Sequence, residues 1–157
     1  MEDLDRYLVE IVDPIVKEFE DNADSRRHAF IACVAVFHAI DYLAYPRSSR
    51  TLRETFRRES SDFGIVDEVA HAFKHVETGN PNNRLNVESV FAHKGDFSND
   101  FSDDFDISKV TVKGRPGVDL LTNVRRTVKY LREYRPSIRP RRSAPPAAQS
   151  PRPPTQG

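Results

Sequence analysis

The stretch Ala29-Phe-Ile-Ala-Cys-Val-Ala-Val-Phe37 decides the fold, because all nine of its residues are apolar. A helix with one face in water repeats apolar residues every three or four positions and places polar residues between them. A run without polar positions therefore predicts a helix that other elements surround on nearly every side. We expect this helix, from about Ser25 to Tyr45, to form the centre of a helical bundle.

Segments on both sides of this stretch predict the elements that surround it. Apolar residues recur at helical spacing over about 3–20, 63–77 and 118–134, and a more polar helix fits 47–59. Pro14 interrupts the first of these helices, where we expect a kink or a restart. Alternating apolar residues predict strands at about 84–92 and 107–113. The predicted fold class is mainly α: a bundle of four to five helices in residues 1–134, with a β-hairpin inserted at about 84–113.

Two segments of biased composition interrupt or follow this pattern. Asp96–Asp106 is acidic and carries a phenylalanine at every fourth position, which fits either a mobile loop or a short partner-docking helix. Residues 135–157 hold seven of the eleven prolines and five arginines, without an acidic residue. Such a composition cannot bury enough apolar surface to offset its ordering entropy, so we expect a disordered basic tail.

Charge and cysteine content limit the functional classes. The chain has 24 basic and 24 acidic residues, so its net charge does not indicate a nucleic-acid or an acidic partner. Cys33, the single cysteine, lies inside the apolar stretch and is typical of a small core residue in a reducing compartment. No signal peptide follows Met1, and the apolar run is too short to span a membrane. These features favour a cytoplasmic protein without a membrane partner.

Polar residues on two predicted helices could meet inside the bundle. His38 and Asp41 are three residues apart and therefore share one helix face. The later helix carries its own polar group, which consists of Asp67, His71, Lys74 and His75. Buried polar side chains need partners, so we expect the two groups to face each other.

Three hypotheses fit such a cluster, and the sequence leaves all three open. It is a structural hydrogen-bond network, or a divalent-metal site, or an acid–base catalyst acting on a phosphodiester. The metal candidates are His38, Asp41, His71 and His75. The catalytic candidates are the same four residues and Lys74, with His71 or His75 transferring the proton and Lys74 stabilising charge. The sequence does not favour zinc-peptidase chemistry by the usual motif, because Ala72 stands where a glutamate would follow the first histidine.

Three arginines of the polar helix form a second candidate site. Arg50, Arg53 and Arg57 share one helix face. This pattern is typical of a solvated face whose long side chains cover the core, and it also suits phosphate, which the planar guanidinium binds in a forked geometry.

His38-x2-Asp41-Tyr42 and the segment Val69–His75 resemble two short motifs of uncharacterised bacterial and phage helical proteins, whose layout is similar to HEPN-type bundles. Four positions match those motifs: His38, Asp41, Lys74 and His75. His71 stands where that group usually has Asn, and Tyr42 where Trp is common. Many HEPN proteins bind or cut RNA, but their catalytic hallmark, an arginine followed four to six residues later by histidine, is absent from this sequence. The resemblance implies a HEPN-like fold and a bacterial or phage host rather than an activity.

We therefore expect a non-secreted accessory protein that binds RNA or a protein partner, with a homodimer as one assembly. One alternative is a small metal-dependent or ribonuclease-like enzyme at the His/Asp cluster. Another is a structural interaction module that works through the acidic loop and the basic tail. For the cofactor, the expectation is either none or a divalent metal.

Overall fold

The structure, a computed structural model, describes residues 2–74, 85–93 and 109–134. Its helices are α1 (Glu2–Tyr7), α2 (Asp13–Asp21), α3 (Arg26–Ala44), α4 (Arg50–Glu59), α5 (Ser61–Lys74) and α6 (Leu120–Glu133). Its strands are β1 (Val90–His93) and β2 (Lys109–Val112). The predicted class, a mainly helical bundle with a hairpin before the last helix, is confirmed. The acidic loop 96–106 and the tail 135–157 lie outside the described residues.

Helix α3 is the centre of the bundle, as its apolar stretch predicts. Ser25 caps its start, where the Ser25 hydroxyl accepts from the backbone N–H of His28. Helices α2, α5 and α6 pack around it, and six residues of the stretch are buried: Ala29, Phe30, Ala32, Cys33, Ala35 and Val36. The helix is also long and apolar enough to cross a membrane, with a mean hydropathy of 1.3, but a core helix meets the same criterion.

The N-terminal helix restarts close to Pro14, as predicted. A π-helical turn, Leu8–Val12, joins α1 to α2, and Pro14 occupies the first turn of α2. Proline has no N–H to donate, and the wider turn satisfies the backbone just before it, where Asp13 N–H donates to the Leu8 carbonyl.

The hairpin is shorter than its sequence pattern predicts. Strand β1 pairs antiparallel with β2, with Val90 opposite Val112 and His93 opposite Lys109. The strand predicted from residue 84 starts only at Val90, because a 3-10 turn, Val87–Ser89, comes first. That turn is held by the Ser89 hydroxyl, which donates to Asn86 Oδ1 at 2.7 Å.

Candidate functional site

A buried carboxylate fastens the polar helix α4 to α5. Asp67 is 0% exposed and accepts from Arg53 Nε at 2.7 Å and from Arg57 at its other oxygen. The two arginine side chains are 26% and 35% exposed, so each leads from the buried carboxylate to the surface. Phe56 anchors α4 to the core, edge-on to the Phe63 ring at 5.6 Å. Helix α4 is thus held by the apolar contacts of Phe56, which also meets the Tyr130 and Tyr134 rings, and by the ionic contact with Asp67.

His71 takes part in the same ion-pair network as a neutral imidazole. Its Nδ1 lies 2.9 Å from the Asp67 carbonyl oxygen and its Nε2 lies 2.7 Å from Nη2 of Arg53. A carbonyl accepts and a guanidinium donates, so the hydrogen-bond network assigns the proton to Nδ1. Burial lowers the pKa of His71, the charges of Arg53 and Arg57 lower it further, and the opposing effects of Asp67 do not compensate. His71 therefore holds Arg53 in place, and its ring nitrogens are already engaged.

The Phe37 ring packs against the guanidinium group of Arg53. The guanidinium carbon of Arg53 lies 4.9 Å from the centre of the Phe37 ring, within cation–π range. The His71 and His38 rings each meet Phe37 edge-on, with centroids 5.1 Å away. The sequence placed Phe37 in a stretch buried on all sides, whereas the structure leaves it only partly buried. Phe37 shares one face of α3 with Ile31 and Val34, which are also only partly buried, so other elements cover this face less completely than the rest of the helix.

His38 and Asp41 form a pair at the surface of α3. His38 Nδ1 lies 3.0 Å from Asp41 Oδ2, and the two side chains are 45% and 52% exposed. Partial burial would raise the pKa of Asp41, but hydrogen bonds from His38 and Ser49 and the charges of His38 and Arg53 outweigh it and lower the pKa. The predicted meeting with the α5 residues is indirect: His38 and His71 touch the same Phe37 ring, while each hydrogen-bonds to other partners.

Three of the four candidate metal ligands, His38, Asp41 and His71, lie in the described residues, and they do not form a group that could hold an ion. Within residues 2–74, 85–93 and 109–134, no three His, Cys, Asp or Glu side chains are placed to hold an ion. His38 and Asp41 supply two ligands, and His71 is bonded to Arg53 and Asp67. His75 lies outside the described residues, and Lys74 is the last residue of α5. A metal site at these positions therefore stays a prediction.

The three arginines of the predicted phosphate-binding face differ in their surroundings. Arg53 and Arg57 share Asp67, whereas Arg50 is 86% exposed and only 3.5 Å from Glu54. The neighbouring Arg58 is 77% exposed, and Arg47 is exposed as well. Residues 47–59 hold five arginines and two glutamates. This segment therefore carries an excess of positive charge, although the net charge of the whole chain is zero.

Two exposed tyrosines lie at the end of α3, and of these the sequence patterns single out only Tyr42, as part of the His38-x2-Asp41-Tyr42 motif. Tyr45 follows the last residue of α3 and is 81% exposed, and Tyr42 is 44% exposed. The Tyr42 ring stacks on Tyr7 with centroids 4.3 Å apart, and Tyr7 donates its hydroxyl to the Ala35 carbonyl at 2.9 Å. We call the following set the Tyr–Arg surface: Tyr42, Tyr45, Arg47, Arg50 and Arg58.

A shallow groove between α2 and α6 is a weaker candidate. Its volume is about 460 Å³, and charged residues of both signs line it. Exposed ion pairs join most of these charges, such as Arg132 with Asp13 and Arg125 with Glu20. Four basic and three acidic residues line the groove, so neither charge is in marked excess for a ligand to recognise.

The comparisons with known proteins give no match: no protein-family model, no curated protein and no solved structure is significantly similar to this chain. Arguments about function therefore rest on the residues and their geometry.

Proposed function

We propose that this chain is a bacterial or phage accessory protein, cytoplasmic and HEPN-like in layout, that binds RNA through the Tyr–Arg surface. The observation that carries the proposal is the excess of positive charge on and beside α4. Residues 47–59 contain five arginines and only two glutamates, and the buried Asp67 can neutralise only one of the two guanidinium groups that it binds. An excess of exposed arginine is typical of surfaces that bind the phosphates of nucleic acids.

The exposed arginines are available to a phosphate at low cost. Arg50 and Arg58 lie 3.5 and 3.9 Å from Glu54 and Glu59, and their side chains are mostly in water. Exposed ion pairs contribute only about 0.2–1 kcal/mol. An RNA phosphate, which binds a guanidinium through two parallel hydrogen bonds, can displace them.

The alternative of a protein partner fits this surface less well. The centre of a protein–protein interface is depleted of charged residues and is built around apolar and aromatic anchors. Apart from Thr51, every exposed residue of α4 is an arginine or a glutamate. This pattern favours a polyanion, although arginine and tyrosine also serve as anchors in protein interfaces.

Binding to RNA is tested with fluorescence anisotropy on a labelled single-stranded RNA and the full chain. We expect Arg50→Gln/Arg58→Gln to weaken binding about tenfold or more, through the loss of two charge-assisted contacts. The matched control is Arg27→Gln/Arg126→Gln, which removes two exposed arginines from other parts of the bundle. Equal affinity for both double variants, or no binding by the wild type, would contradict the proposal.

The His38–Asp41 pair favours a second candidate, a ribonuclease-like enzyme. Asp41 fixes the His38 ring through Nδ1, and the half-exposed ring directs its Nε2 away from that bond. A histidine held in this way is suited to general acid–base catalysis on a bound phosphodiester. Electrophoresis of the labelled RNA after incubation tests this candidate: cleavage that is lost in His38→Ala and Asp41→Asn supports it, and intact RNA with the wild type rejects it.

A further inference from the structure

Tyr45 is exposed to a degree that the fold does not explain. It is the most exposed large hydrophobic side chain in the part of the chain that the structure describes, at 81%. Other aromatic rings near this end of the bundle are used: Tyr42 stacks on Tyr7, and Phe37 lies under Arg53. A single exposed ring is common at protein surfaces, so the exposure of Tyr45 bears on function only together with the exposed arginines that follow it in the chain.

The position of Tyr45 places it between two parts of the candidate surface. It follows Asp41 by one helical turn, and its backbone N–H donates to the Asp41 carbonyl at 3.0 Å. The Ser49 hydroxyl and the charge of Arg53 both help to lower the pKa of Asp41, which shows that the end of α3 lies close to the start of α4. Arg47, which is also exposed, comes two residues after Tyr45. Tyr45 and Arg47 are therefore close enough along the chain to contact neighbouring groups of one bound strand.

An exposed aromatic ring beside arginines is suited to one form of RNA. In a duplex the bases stack on one another and their faces are covered, so a tyrosine cannot reach them. In a single strand the bases can turn outward and stack on an aromatic ring while arginines hold the backbone. Every base has a flat face, so this contact selects unpaired RNA without selecting a sequence.

We infer that the Tyr–Arg surface is selective for single-stranded RNA, with Tyr45 stacking on an unpaired base. This inference rests on the proposed function and defines its substrate class. Tyr42, three residues before Tyr45, already stacks its ring on Tyr7, so the stacking role falls to Tyr45.

The test measures anisotropy with two probes, a labelled single-stranded oligoadenylate and a labelled RNA duplex of the same length. We expect the wild type to prefer the single strand. Tyr45→Ala should weaken single-strand binding by about 5- to 150-fold, as the loss of one stacked base does, and should leave duplex binding unchanged. Tyr45→Phe keeps the ring and should retain the affinity.

The control variant is Phe91→Ala, which removes another exposed aromatic ring, on β1. It should bind both probes as the wild type does. Equal binding of the two probes, or an unaltered single-strand affinity in Tyr45→Ala, overturns the inference and leaves RNA binding through the arginines intact. Failure of both probes to bind overturns the proposed function itself.

Discussion

Replacement of Asp67 by asparagine should destabilise the protein more than any other conservative polar change at this site. Asp67 is 0% exposed and carries the only carboxylate that Arg53 and Arg57 contact in the described residues. Asparagine keeps the size of the side chain but removes its charge and one acceptor oxygen, so two guanidinium groups lose their counter-ion.

The magnitude follows from the burial of the three groups. Hydrogen bonds to charged groups contribute about 1.5–3 kcal/mol each, and breaking a buried ion pair costs about 3–5 kcal/mol. The arginines are 26% and 35% exposed and can turn partly toward water, which lowers the cost. We expect a loss of about 3 kcal/mol in the free energy of unfolding, or about 10 °C in Tm for a domain of this size.

Urea unfolding followed by circular dichroism, with linear extrapolation to water, gives this free energy directly. Asp41→Asn is the matched control, because Asp41 is 52% exposed and its pair with His38 should contribute only about 0.2–1 kcal/mol. A loss below about 1 kcal/mol in Asp67→Asn, or equal losses in the two variants, would refute the role of Asp67 in fastening α4.

Three further predictions follow from the described residues. The free energy of unfolding should fall as pH drops below about 6.5, because the pKa of His71 is lowered in the folded chain and the unfolded chain therefore binds a proton that the folded chain does not. Denaturation at several pH values should show this decrease, and His71→Gln should make it smaller. Phe37→Ala should lower the free energy of unfolding by about 2 kcal/mol and Phe63→Ala by about 3–5 kcal/mol, because Phe37 is only partly buried and Phe63 is 0% exposed. Equal losses of the two variants in urea unfolding would contradict this. Cys33 is 0% exposed and burial raises the pKa of its thiol, so labelling with a thiol reagent should proceed only as fast as the protein opens; fast labelling of the folded chain would show an accessible core.

The fold could be predicted from patterns in short stretches of sequence, namely apolar runs, helix-capping residues and the spacing of apolar residues. An apolar run fixes the central helix, because no arrangement with a wet face would tolerate it, and Ser25 marks the start of that helix. The hairpin was predicted in the correct place with its first strand too long. Alternating apolar residues cannot distinguish a strand from the 3-10 turn that Asn86 and Ser89 stabilise.

The geometry of the site was less accessible from the sequence because it depends on which elements face each other. Helical spacing predicts that His38 lies near Asp41 and that His71 lies on the same helix face as Asp67, and the structure shows a hydrogen bond within each pair. It could not show that two arginines from α4 reach Asp67, since residues ten and fourteen positions apart on different helices have no pattern in common. The exposure of Tyr45 was equally hidden, because a tyrosine at a helix end can be buried or wet.

The central claim is that the exposed arginines on and beside α4 bind RNA phosphates, and the salt dependence of binding tests it most directly. Each phosphate contact to a single strand contributes about 0.7 to the slope of the logarithm of the binding constant against the logarithm of the salt concentration. Titration of labelled single-stranded RNA at several salt concentrations should therefore give a slope about 1.4 shallower for Arg50→Gln/Arg58→Gln than for the wild type. The slope of Arg27→Gln/Arg126→Gln should equal that of the wild type, and an identical slope for all three proteins would contradict the claim.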